Sequence, residues 1–201
     1  MTAFPRRGRE IHPDTLIGTL SRNMGVEILH DGGNHAFYSP REDRIHLPKP
    51  EAFFTDYGYA STALHELTHA TGAAHRLNRN LGGKFGSKDY AFEELIAEIS
   101  SCFMSANLQI KQDEFHIQNH KAYVQGWIQS IKEDPELLVK AVQQAEQTAE
   151  YMEYKAELIP EPEFLKTLSA SMDVTDGLEF NPFLKNSKEI LFEGTEYTEA
   201  K

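Results

Sequence analysis

Tyr59-Ala60-Ser61-Thr62-Ala63-Leu64-His65-Glu66-Leu67-Thr68-His69-Ala70-Thr71-Gly72 is the stretch whose reading decides the fold. It carries the pattern H-E-x-x-H as His65, Glu66 and His69. Residues four apart on an α-helix stand one turn above each other on the same face. His65 and His69 can therefore direct an imidazole nitrogen at one point, the arrangement with which a helix binds zinc. Glu66, next to the first histidine, is placed to take a proton from a water that the ion polarises. The sequence predicts helix from Thr55 or Asp56 to Thr71, with Gly72 free to take the left-handed conformation that ends it. Because this helix supplies ligands, it must be substantially buried. Its small neighbours Thr62, Ala63, Ala70 and Ala73 let other elements approach closely, as expected of a central helix under a sheet.

The rest of the chain is compatible with one such domain. Its 201 residues, 40% of them hydrophobic, suffice for a single core with a tail. A net charge of -11 argues against nucleic-acid binding through a general basic surface, so DNA binding is not expected of this chain alone. Basic residues cluster only at Arg6, Arg7 and Arg9. The single cysteine, Cys102, cannot form an internal disulfide and reads as a small buried hydrophobe, which fits a reducing, cytoplasmic setting. No apolar run reaches the roughly 18 residues of a membrane span, and the N-terminus lacks the apolar stretch of a secretory signal.

Upstream of the H-E-x-x-H helix, residues 1–13 read as a basic arm or linker and residues from about Pro13 to Met24 as a helix stopped by Gly25. Val26–Leu29, His35–Tyr38 and Arg44–Leu47 are short β-type runs. The separators Asp31-Gly32-Gly33-Asn34 and Ser39-Pro40-Arg41-Glu42-Asp43 are turn chemistry, so a small antiparallel three-stranded sheet is expected. Downstream, the glycines of Leu81–Gly86 give either a plain connection or a rim loop beside the site. Three helices follow. The first starts near Ser87 or Asp89, the second runs from about Gln118 to Lys132, and the third has Asp134 as N-cap with Pro135 in its first turn. The expected plan is α+β, with one domain over residues 14–158 and an acidic, loosely attached appendage over 159–201.

Two residues compete to complete the metal site. His75 extends the motif to H-E-x-x-H-x-x-G-x-x-H, the metzincin spacing. Glu94 opens Glu94-Leu-Ile-Ala-Glu98, similar to the gluzincin element in which the first acid binds zinc and the second orients a histidine ligand. Metzincins close their site with a Met-turn, and no segment after His75 identifies one, Met104 and Met152 being the methionines to consider. Glu93, Glu94 and Glu98 lie on a helix with a strongly apolar face, which directs at least one acid inward toward a partner. Glu94 is the preferred third ligand and His75 the alternative.

A series of segments in register carries a wider resemblance. They are Ala36-Phe-Tyr38-Ser-Pro with Asp43-Arg-Ile45-His-Leu-Pro48, His65 through Gly72 with Arg76-Leu-Asn-Arg79, Tyr90-Ala-Phe-Glu93-Glu-Leu-Ile-Ala-Glu98, Asn119-His-Lys-Ala-Tyr123 with Trp127, and Ala145-Glu-Gln-Thr-Ala149. On these the chain resembles the zincin-like metallopeptidase domain of ArdC antirestriction and related polyvalent proteins of plasmids and phages. The resemblance implies a compact zincin fold with Glu94 as the third ligand and Glu98 behind a histidine. This chain departs from it at Ala73, where family members often have histidine. ArdC proteins also carry a single-stranded-DNA-binding domain ahead of this one, for which these residues leave no room. The expectation is therefore a separated peptidase domain, or a relative with another task.

The chemistry expected is hydrolysis of a protein or peptide substrate with Zn2+ as cofactor and Glu66 as general base. His120, Tyr123 and Tyr90 are the candidate donors to the tetrahedral intermediate. Arg76 and Arg79 could meet a substrate carboxylate or pair with the chain's own acids. From a different class, the alternative is a non-hydrolytic antirestriction or DNA-mimic factor that uses the fold as a scaffold. A structural metal domain, with four protein ligands, is the third.

Overall fold

The structure is a computed structural model that describes residues 12–107 and 114–166. Helix α1 (Pro13–Met24) begins with Pro at its first position and stops at Gly25, whose φ of 69° is the left-handed cap the sequence predicts. Strands β1 (Glu27–Leu29), β2 (Phe37–Ser39) and β3 (Arg44–His46) follow, then a 3-10 turn at Pro50–Ala52. Four long helices come next: α2 (Asp56–Thr71), α3 (Lys88–Asn107), α4 (Glu114–Ile131) and α5 (Pro135–Lys155).

The sheet departs from expectation. Its order is β1-β3-β2, with β2 and β3 antiparallel but β1 and β3 parallel, so it is mixed rather than wholly antiparallel. After β1 the chain passes over the place that β3 later fills. Gly32 marks that crossing: its N–H donates to Leu47 O at 3.0 Å, and a Cβ there would run into His35 O. Only a residue without a side chain fits between those carbonyls.

Helix α2 is the centre of the molecule. Thr55 caps it, its Oγ1 accepting from Gly58 N at 2.9 Å. From Tyr57 to Thr71 every residue but Tyr59 is buried. A helix apolar or small on nearly all sides belongs inside a fold, and α1, α3, α5, β2 and β3 pack around this one. Leu64 and Leu67, fully buried, join α1 and the sheet in one core that also includes Met104 and Met152. Truncating either leucine to alanine would cost about 2–5 kcal/mol. A second core of Ala91, Leu95, Ile96, Ile131, Ala141 and Ala145 binds α3 to α4 and α5. Its alanines, Ala91, Ala141 and Ala145, let the helices approach closely.

Gly72 is not left-handed: its φ is -74°. It is required for space instead, since a Cβ there would lie 2.7 Å from Leu81 Cδ2 and 3.1 Å from Arg79 Nη2. Beyond Pro160 the chain still packs, with Leu165 buried and Phe164 resting on the first core. The basic arm before His12 and the appendage beyond residue 166 lie outside the described residues.

Candidate metal centre

The spacing that defines H-E-x-x-H does in the fold what helix geometry demands. His65 and His69 face each other with Nε2 atoms 3.1 Å apart, and both are buried. Helix α3 passes beside them and inserts Glu94. Its Oε2 lies 3.6 Å from His65 Nε2 and its Oε1 3.6 Å from His69 Nε2. The three ligand atoms all fall within 4.8 Å of one another, and among the described residues no other cluster of three His, Cys, Asp or Glu side chains does so.

Two observations test whether these residues fit a divalent cation. Two donors on a tetrahedral zinc at about 2.0–2.1 Å stand roughly 3.3 Å apart, close to the separations seen here. The second test is charge. Glu66 and Glu94, each 2% exposed, have no Lys or Arg partner among the described residues, and Glu94 Oε2 has no hydrogen bond. Buried carboxylates in that condition are costly unless a cation joins them. Burial opposes charge on His65, yet Glu94, Glu98 and Glu66 around it hold its proton up to about 9. A divalent cation at the same point would meet the same negative field.

Burial raises the Glu66 carboxyl, opposed by the two histidines, while the backbone N–H of Tyr38 on β2 donates to it. A carboxylate tuned upward beside a metal cluster suits a general base. Glu94 is lowered despite burial, because His65, His69 and the Tyr90 hydroxyl, one turn earlier on α3, favour its charged form. Tyr90 is buried, with its ring edge-on to Trp127 at 5.5 Å.

Outside the cluster stands a second ring of acids from the same helix. Glu98 Oε1 lies 3.7 Å from His65 Nδ1, and its Oε2 is 2.8 Å from His120 Nδ1. Glu93 Oε1 lies 3.1 Å from His69 Nδ1, and Arg79 grips Glu93 through two hydrogen bonds, at 2.7 and 2.9 Å. Arg79 also donates to Thr68 O and Thr71 Oγ1.

The residues singled out in the sequence thus fall into distinct places. His65, His69 and Glu94 form the cluster, with Glu66 beside it and Glu98 behind His65. His75 stands apart: helix α2 has already ended, its side chain is 63% exposed, and its Nε2 sits 3.4 Å from Asp43. Met104 and Met152 are buried on helices, and Met152 Sδ meets Thr68 Oγ1 at 3.5 Å. His120 is bound to Glu98, and it also hydrogen-bonds Cys102, which is half-buried rather than buried. Tyr123 lies one turn further along α4, half-buried. Arg76 and Arg79 are both committed to the chain's own acids, Asp43 and Glu93. Sequence reasoning missed the role of Glu93. The signal available was its place beside Glu94, with Arg79 in the neighbouring matched segment.

A buried H-E-x-x-H helix under a small sheet, completed by an acid from the next helix, defines a zincin-type metalloprotein. The model of a zincin-like metallopeptidase family matches residues 16–144, and the chain belongs to that family. This is a divalent-metal domain. It is similar to the crystal structure of the antirestriction ArdC protein from the R388 plasmid. In its Mn(II)-bound form the TM-score is 0.59 at 35% identity, over 74% of this chain and 54% of that one. The metal-free form of the same protein gives 0.58 at 33% identity. Among curated proteins, the chain is 42% identical over 133 residues to DNA primase TraC of Escherichia coli, 66% of this chain but 9% of that protein. It is 35% identical over 130 residues to protein y4eC of Sinorhizobium fredii, 65% of this chain and 41% of that one. The chain therefore spans only a part of the relatives it matches. Among the described residues no helix is long and apolar enough to cross a membrane.

Proposed function

We propose that this chain is a zinc-dependent peptidase domain of a mobile-element protein, acting on a protein or peptide in the cytoplasm. The observation that carries the reading is Glu66, buried and without a Lys or Arg partner among the described residues, beside a His65–His69–Glu94 cluster that fits a divalent cation. His65, His69 and Glu94 would hold the ion. When bound, it supplies Lewis-acid polarisation of a substrate carbonyl and of the attacking water. Glu66 takes the proton of that water and returns it to the leaving amine. Tyr90, whose hydroxyl already reaches Glu94, is the best-placed donor to the developing oxyanion, with Tyr123 on α4 as the next to test. His120 acts through Glu98, to which it is bonded.

A second reading is favoured by the acidic surface, a net charge of -11, and by likeness to an antirestriction protein. In it the metal domain is a scaffold, and its acidity meets a DNA-processing enzyme. Glu66→Gln separates the two. The peptidase reading requires that this variant bind zinc as wild type does and lose at least about 100-fold in peptide hydrolysis. Full biological activity of metal-loaded Glu66→Gln would favour the scaffold.

A further inference from the structure

The two histidines of the cluster are held by different means. On one side, His65 Nδ1 is 3.7 Å from Glu98, past hydrogen-bond length. On the other, His69 Nδ1 is 3.1 Å from Glu93 Oε1, and Glu93 is itself fixed. Arg79 Nη2 donates to its Oε1 at 2.7 Å and Arg79 Nε to its Oε2 at 2.9 Å, the two-point grip that a planar guanidinium gives a carboxylate. The guanidinium is anchored in turn. It donates to Thr68 O at 2.8 Å and Thr71 Oγ1 at 2.6 Å in the last turns of α2, and to Thr148 Oγ1 at 3.2 Å on α5. Arg79 and Glu93 have side chains only 6% and 3% exposed, so water does not compete for these bonds.

The geometry points to Arg79 and Glu93 as a positioning pair for the metal ligand His69. An acceptor held rigidly at Nδ1 keeps the hydrogen of the imidazole there and leaves the lone pair of Nε2 turned toward His65 and Glu94. Neither residue enters the cluster; both act through His69. Glu93 alone could swing or offer either oxygen, and the Arg79 grip removes that freedom. Lysine could neutralise Glu93 but not hold it at two points. The inference rests on His65, His69 and Glu94 being metal ligands, and not on peptide hydrolysis.

Glu93→Gln and Arg79→Lys test it. A glutamine can still offer one carbonyl oxygen to His69 Nδ1–H and Arg79 Nη2, as Glu93 Oε1 does, but it sets an amide NH2 against Arg79 Nε where Oε2 accepts, so the two-point grip is lost. Zinc affinity of the full chain is measured by chelator competition for wild type and both variants, with circular dichroism of each zinc-free protein. Cobalt-loaded protein gives a second readout, the solvent exchange of the hyperfine-shifted imidazole N–H protons. Glu93→Gln is expected to lose about 10–100-fold in zinc affinity and Arg79→Lys about threefold or more, with faster exchange of one imidazole proton in each. Folded variants with affinity within about twofold of wild type and unchanged exchange would overturn the proposal. If Glu93→Gln alone does not fold, Arg79→Lys decides. If neither folds without zinc, the pair is a brace for the fold and the proposal fails. A wild type that binds no zinc overturns the metal reading together with this inference, whereas equal binding by all three proteins overturns only the pair's role.

Discussion

Replacing Asp43 by asparagine should loosen the whole front of the molecule. Asp43 ends the turn between β2 and β3 with a φ of 53°, a conformation asparagine adopts nearly as readily, so the backbone is not the perturbed element. What changes is the hold on Arg76, whose side chain is 2% exposed. Its Nη1 and Nη2 donate to Asp43 Oδ1 and Oδ2 at 2.7 and 2.8 Å, while its other bonds go to Met24 O and Ala70 O. The guanidinium thereby ties the ends of α1 and α2 to the sheet. An amide turns one charge-assisted acceptor into a donor facing a donor and leaves the cation without its counter-charge. Breaking a fully buried pair costs about 3–5 kcal/mol. Asp43 is 31% exposed, so water replaces part of the loss and about 2–3 kcal/mol is expected. For a chain of this size that lowers Tm by about 4–12 °C. Thermal and urea unfolding followed by circular dichroism measure it, and a double-mutant cycle with Arg76→Met should show coupling of at least about 1.5 kcal/mol. An Asp43→Asn protein melting within about 2 °C of wild type would refute the reasoning.

Two further outcomes follow from the same geometry. Burial opposes charge on His120, but Cys102 and Glu98 outweigh it and push its pKa up to about 10 from an ordinary 6.5. Its stabilising contribution is therefore complete below about pH 6.5 and lost as pH rises through about 10. The urea midpoints of wild type and His120→Gln should differ most near pH 6 and converge above about pH 10; a constant gap would contradict this. Gly83→Ala places a Cβ 2.8 Å from Tyr90 Cα and 2.9 Å from the Asp89 carbonyl carbon, both backbone, at the start of the helix that carries Glu94. It should cost about 1–3 kcal/mol. Gly82→Ala meets only Asn80 Oδ1, at 3.3 Å, and should be nearly neutral by the same thermal melt.

The parts of this protein that were legible in its sequence are those set by local rules. The helix periods, the Gly25 stop and the convergence of His65 and His69 all depend on residues within one or two turns of each other. Glu94 was reachable because three acids on an apolar helix must find something inside. The parallel pairing of β1 with β3 was not legible, since turn residues specify a reversal of direction but not which strand slot is skipped. Gly72 was misread for a related reason: glycine serves for positive φ or for want of space, and only the position of Leu81 and Arg79 shows which. The Arg79–Glu93–His69 line joins residues 14 and 24 positions apart from three elements, and no periodicity announces it. His75 fitted a pattern in sequence, but the end of α2 at Thr71 carries it to the surface beside Asp43.

The central claim is that His65, His69 and Glu94 hold the metal. Zinc content after dialysis, compared among wild type, Glu94→Ala and His75→Ala, tests it most directly. Wild type and His75→Ala should retain the ion and Glu94→Ala should lose most of it, since a side chain 63% exposed contributes nothing to a buried cluster. Retention by Glu94→Ala with loss confined to His75→Ala would contradict the account.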